Sequence, residues 1–93
     1  MDAATPIHRN TIRTTKGLWQ ISVCSALIVS KDVIVLRLEL KSDSGLDARV
    51  LILRLPIANL AGSERLIHVL NRIRNWIELT EESDAELDLS QDP

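Results

Sequence analysis

Few side chains in this chain combine a reactive type with a useful spacing. Cys24 with His68 is the one conceivable thiolate–imidazole dyad, and it would need an accessible thiol of lowered pKa. Cys24 instead lies in the largely apolar run from Val23 to Val29, which predicts a small buried hydrophobe, and a lone cysteine forms no intramolecular disulfide. His8 and His68 are sixty residues apart, and neither has a Cys, His, Asp or Glu at metal-ligand spacing. Asp43 and Asp47 share a segment, but the calcium-loop pattern of alternating acids, a glycine and a distal glutamate is missing, so turn chemistry accounts for them. The three glycines, Gly17, Gly45 and Gly62, stand apart from one another and form no phosphate-cradling cluster. No carboxylates are set as a pair for acid–base work. The expectation is a protein that is not an enzyme and has no catalytic residues, metal or cofactor.

The basic residues offer a second chemistry, contact with phosphates. Arg65, His68 and Arg72 fall at i, i+3 and i+7, within about 60° of one another on a helix turning about 100° per residue. Arg74, together with Arg9, Arg13 and Lys16, could extend that stripe. Against it stand Glu64 and Glu78 on the same polar half, and the absence of Phe and Tyr removes the stacking platforms that single strands require. The only aromatic residues, Trp19 and Trp76, are expected to face inward. A solvated helix face is the simpler account, and nucleic-acid binding is the disfavoured alternative. The charge distribution bears on that alternative. Residues 1 to 80 hold 11 basic and 7 acidic residues, a net +4, whereas residues 81 to 93 hold six acids and no base. An acidic tail of this kind would act as an internal competitor, an autoinhibitor, for any polyanion.

These residues must be positioned by a small fold. The chain of 93 residues predicts one domain over residues 9 to 80, a flexible arm over 1 to 8 in which Pro6 discourages regular structure, and a solvated, disordered acidic tail over 81 to 93. Thr-rich Arg9–Thr15, then Lys16-Gly17, reads as the first strand and turn of a hairpin, because Gly17 readily takes positive φ. Leu18 to Val29 alternates, and its odd positions, from Trp19 and Ile21 through Val23 to Leu27, form the more apolar face. Val33 to Lys41 alternates again, with Ile34, Leu36, Leu38 and Leu40 on one side. Ala48 to Leu55 follows with Leu51, Leu53 and Leu55 inward, and Pro56 ends it.

The period then changes. Leu66, Val69, Leu70, Ile73, Trp76 and Ile77 recur at helical spacing between Ser63 and Leu79, with Ser63 as N-cap and Glu64 in the first turn. The fold class is therefore α+β, an antiparallel meander of three to four strands followed by one C-terminal amphipathic helix packed on one sheet face. Within the tail, Ala85 to Leu89 alternates weakly and could dock as a short strand.

A single helix leaves this sheet half covered. Val33, Val35, Val50 and Ile52 fall on the face opposite the core, with Cys24, Ala26 and Ile28 beside them, and Arg37 and Arg54 supply a polar rim. A small domain gains most from burying such a face, so the residues Val33, Val35, Arg37, Val50, Ile52 and Arg54 are the candidate interface, for a homodimer or a protein partner. The opening Met1 to Pro6 has neither a basic nor an apolar signal region, and uninterrupted apolar stretches reach four residues, as in Ala26–Val29 and Val50–Leu53. A cytoplasmic location and no membrane partner are expected. The expected function is a small non-catalytic interaction or regulatory module that works through an apolar sheet face or an edge strand.

Overall fold

The structure, a computed structural model, describes residues 10–90. Five strands and one α-helix build an α+β unit: β1 (Asn10–Thr14), β2 (Gly17–Ile28), β3 (Val33–Ser42), β4 (Ala48–Pro56), α1 (Ser63–Leu79) and β5 (Asp84–Asp88). They form one sheet in the order β1-β2-β3-β4-β5. The first four strands run antiparallel, and β5 lies parallel to β4. The sheet is therefore mixed rather than a pure meander, and the helix is followed by a strand. A parallel neighbour requires a long crossover, and the segment from Ile57 through α1 to Ser83 supplies it.

Each turn follows from local chemistry. Gly17 sits at φ +108 after the two-residue turn Thr15-Lys16, where the Thr14 hydroxyl donates to the Gly17 carbonyl at 3.0 Å and accepts from the Lys16 amide at 2.9 Å. Between β3 and β4 the Ser42 amide donates to the Asp47 carbonyl at 2.9 Å, so Asp43 and Asp47 belong to a turn. After β4, Ile57–Leu60 makes a separate 3-10 turn. Helix α1 begins at Ser63, with Gly62 at φ +92 in the cap position and no side-chain cap bond. Ser63 is thus the first helical residue and not the N-cap.

The core lies between α1 and one face of the sheet. Ile12, Trp19, Ile21, Leu36, Leu38, Leu40, Leu51, Leu53, Leu55 and Leu89 pack with Val69, Ile73, Trp76 and Ile77. The alternation of β3 and β4 and the helical stripe give these faces directly, and both tryptophans are buried as their spacing requires.

Two readings of the sequence are corrected here. Of the tail expected over residues 81 to 93, the described part, 81–90, is not simply solvated. Ala85 and Leu87 pack against the core, Leu89 is fully buried, and Asp84, Glu86 and Asp88 stay exposed, so a pattern of period two outweighs an acidic composition. The second correction concerns β2. Val23 pairs with Leu38 but Ser25 with Arg37, so Cys24 is an extra residue, a β-bulge. The bulge reverses the alternation beyond it. Ala26 and Ile28, partners of Leu36 and Ile34, turn to the helix side, and Ser25 and Leu27, partners of Arg37 and Val35, turn to the opposite face. Cys24 itself is exposed rather than buried. The arm expected over residues 1 to 8 lies outside the described residues.

Candidate interaction surface

The strand register gathers the six candidate interface residues on one face. Val35 is paired with Arg54, Arg37 with Ile52, Glu39 with Val50, and Val33 with Pro56. Directly opposed residues of an antiparallel pair share a face, and this face is the one away from α1. No described helix or strand lies over it. Val33, Val35, Val50 and Ile52 are half-buried by their neighbours within the sheet, while Arg37 and Arg54 are exposed. β5 completes the face with acids, because Val50, Ile52 and Arg54 stand level with Asp84, Glu86 and Asp88. A shallow groove of about 360 Å³ crosses β3, β4 and β5 between Val35, Ile52, Arg54, Glu86 and Asp88.

The electrostatics of the groove wall are fixed locally. The Ser90 hydroxyl and amide both donate to the Asp88 carboxylate, and with the Arg54 guanidinium they hold its carboxyl below the ordinary aspartate value. An aliphatic strip is thus flanked by arginines from β3 and β4 and by carboxylates from β5.

A run of exposed large apolar side chains lies one strand away. Val23, Leu27, Ile28 and Val29 are 58%, 64%, 65% and 42% exposed. β1 pairs with β2 only from Gly17 to Ile21, so beyond Ile21 the outer edge of β2 has no strand neighbour among the described residues. Sequence reasoning missed this concentration because it kept the odd positions of β2 under the helix. The signal available was the absence of any charged residue from Leu18 to Ser30.

The residues of the phosphate-contacting alternative are not brought together as one stripe. Arg65 and Arg74 lie about 180° apart around a helix turning about 100° per residue. Arg65 donates to the Ala58 carbonyl at 3.4 Å, and Arg74 donates to the Arg13 carbonyl at 3.1 Å and to Asn71 Oδ1 at 3.0 Å. His68 and Arg72 each have an interaction partner as well, His68 on an exposed and Arg72 on a half-buried position. Among the described residues, no group of three or more His, Cys, Asp and Glu side chains could hold a metal ion. No helix among them is long and apolar enough to cross a membrane.

One buried cation escaped the sequence reading. Arg49, 2% exposed, lies on the core side of β4 with its guanidinium 5.1 Å from the Trp19 ring centroid and 5.2 Å from that of Trp76. It donates to the Ile77 carbonyl at 3.4 Å and to the Thr80 hydroxyl at 3.5 Å. The last turn of α1 contains no basic residue, so a strand supplies the cation that the carbonyl end of the helix dipole favours. Next to it, Lys16 donates to the Thr80 carbonyl at 3.0 Å and pairs with Glu81. The hydrogen bond from Lys16, then its charge, and more weakly that of Arg49, hold the Glu81 carboxyl below its ordinary value. Position 49 shares the inward parity of Leu51, and its charge concealed that role. This cluster fastens the end of α1 to the sheet and leads the chain into β5. No family model, no curated protein and no solved structure matches this chain.

Proposed function

We propose that this chain is a small non-catalytic protein-interaction module, and that the part of the sheet left open by its single helix is its working surface. The observation that carries this reading is the asymmetry of cover. One face is closed by α1, while the other presents Val33, Val35, Val50 and Ile52 between arginines and carboxylates, next to the exposed apolar end of β2. Open aliphatic surface rimmed by polar residues is the usual form of a protein-binding site. The reactive side chains support the same reading by their dispersion. Cys24 lies on the sheet edge, His68 on the helix and Asp43 in a turn.

The test is the association state of the full chain, measured by sedimentation, for the wild type, for Ile52→Lys on the face and for Leu27→Lys on β2. Helix content by circular dichroism controls for folding. Association in the wild type that is weakened by either charge, with helix content retained, supports the reading. A chain that associates equally well with both charges present refutes it.

A further inference from the structure

Among the described residues, the sheet has one edge without protection. From Ser22 to Ile28 the side of β2 turned away from β3 carries no strand among the described residues, so its outward amides and carbonyls are a template for another strand. Seven residues at about 3.3 Å each make this template roughly 23 Å long. Natural sheets blunt such edges with charge, proline or brevity. Here the segment is long, contains no proline and no charge from Leu18 to Ser30, and exposes Val23, Leu27 and Ile28 by more than half.

Resting on the interaction reading above, we propose that the occupant of this edge is a second copy of the chain. The β2 strands of two copies pair antiparallel about a twofold axis, and two five-stranded sheets join into one. Three features single out this occupant. An uncharged strand meets its own copy without repulsion, whereas like charges placed opposite one another oppose pairing. Antiparallel pairing of identical strands is isologous and closes at two copies. The side chains are also self-complementary. With the axis at Ala26, small Ser25 of each copy stands opposite large Leu27 of the other on the outer face, and Ala26 stands opposite its own counterpart on the helix side. The opposite edge of the sheet cannot serve as the mate. Docking β5 there would press Asp84, Glu86 and Asp88 beside Leu27 and strip water from carboxylates with no cation at hand on β2.

Hydrogen exchange combined with sedimentation on the full chain tests this directly. The expected result is a mass of two chains, with the outward amides between Ser22 and Ile28 protected in the dimer and released on dilution. The double variant Ser25→Lys/Leu27→Lys changes two exposed residues and places like charges across the axis, and it is expected to halve the mass while keeping the helix signal. Ile52→Lys, two strands from the edge, is expected to remain a dimer. A dimer that persists in the double variant but dissociates in Ile52→Lys overturns the edge pairing and leaves the interaction reading standing, with its site on the face. If both variants are monomeric, protection of Ser22–Ile28 in the wild-type dimer supports the edge, and fast exchange there overturns it. A wild-type chain that remains a monomer at millimolar concentration overturns the proposal, as does protection of these amides in a monomer, which would assign the edge to residues 1 to 9.

Discussion

The two lateral edges of this sheet are built differently. β5 is five residues long and sets an acid at every second position, Asp84, Glu86 and Asp88, with further acids just before it at Glu81 and Glu82. Beyond the reach of β1, β2 is longer, uncharged and apolar on both faces. Among the described residues both edges leave backbone groups without a strand partner, yet only β5 makes the approach of a further strand electrostatically costly. The lesson is that edge pairing is governed less by the hydrogen-bonding groups, which every strand has, than by the side chains that surround them.

Removing the protected edge should have the largest effect. Leu89 is fully buried and its amide donates to the Arg54 carbonyl at 2.6 Å, so it anchors the far end of β5. Leu89→Ala is expected to lower stability by about 2 to 5 kcal/mol in urea denaturation. It should also raise amide exchange along Val50–Arg54, because β5 undocks from β4. An unchanged exchange pattern in β4 would mean that β5 contributes little cover.

Neutralising the same edge without undocking it should change association rather than stability. With Asp84→Asn, Glu86→Gln and Asp88→Asn combined, β5 loses its repulsion. Light scattering should then show species larger than a dimer, because a sheet open at both sides can propagate. If the variant stays at the wild-type size, the acids are not what limits assembly.

Acid should produce a milder form of both effects. Asp88 is held below its ordinary value, first by the hydroxyl and amide of Ser90 and then by Arg54. A carboxyl whose folded value lies below its unfolded one gives stability that is complete above the unfolded value and is lost as pH falls through the folded one. Docking of β5 should therefore loosen below pH about 4, where its acids also lose their charge. Scattering that is the same at neutral pH and at pH about 3 would count against a role for these carboxylates.

How much of this was legible depended on whether the two-residue period held. β3, β4 and α1 from Val69 onward follow their spacing, so Leu36, Leu38, Leu40, Leu51, Leu53, Val69, Ile73 and Trp76 took their expected places, while Leu66, expected on the same stripe, is exposed in the first turns of the helix. The six residues of the open face follow from the same phase. In β2 the phase breaks at Cys24, and one extra residue of ordinary type leaves no mark in sequence while moving Ala26, Leu27 and Ile28 to the opposite sides. β5 was legible only as a weak alternation over Ala85 to Leu89, because the acids at every second position gave the segment the composition of a solvated tail. Arg49 shows the converse. Its position was inward by the same parity as Leu51, but only the two tryptophans and the helix carbonyl end explain how a cation is held there.

That arrangement has an optical consequence. Trp19 and Trp76 are the only aromatic residues in the chain, and both flank the same guanidinium at the β1–β2 turn end of the fold. The near-ultraviolet absorbance and intrinsic emission of the protein therefore come from one small cluster at the end of α1. That signal follows the melting of the core and the release of the helix end, while the far part of β2, from Val23 to Ile28, contains no chromophore and can gain or lose a neighbour unseen.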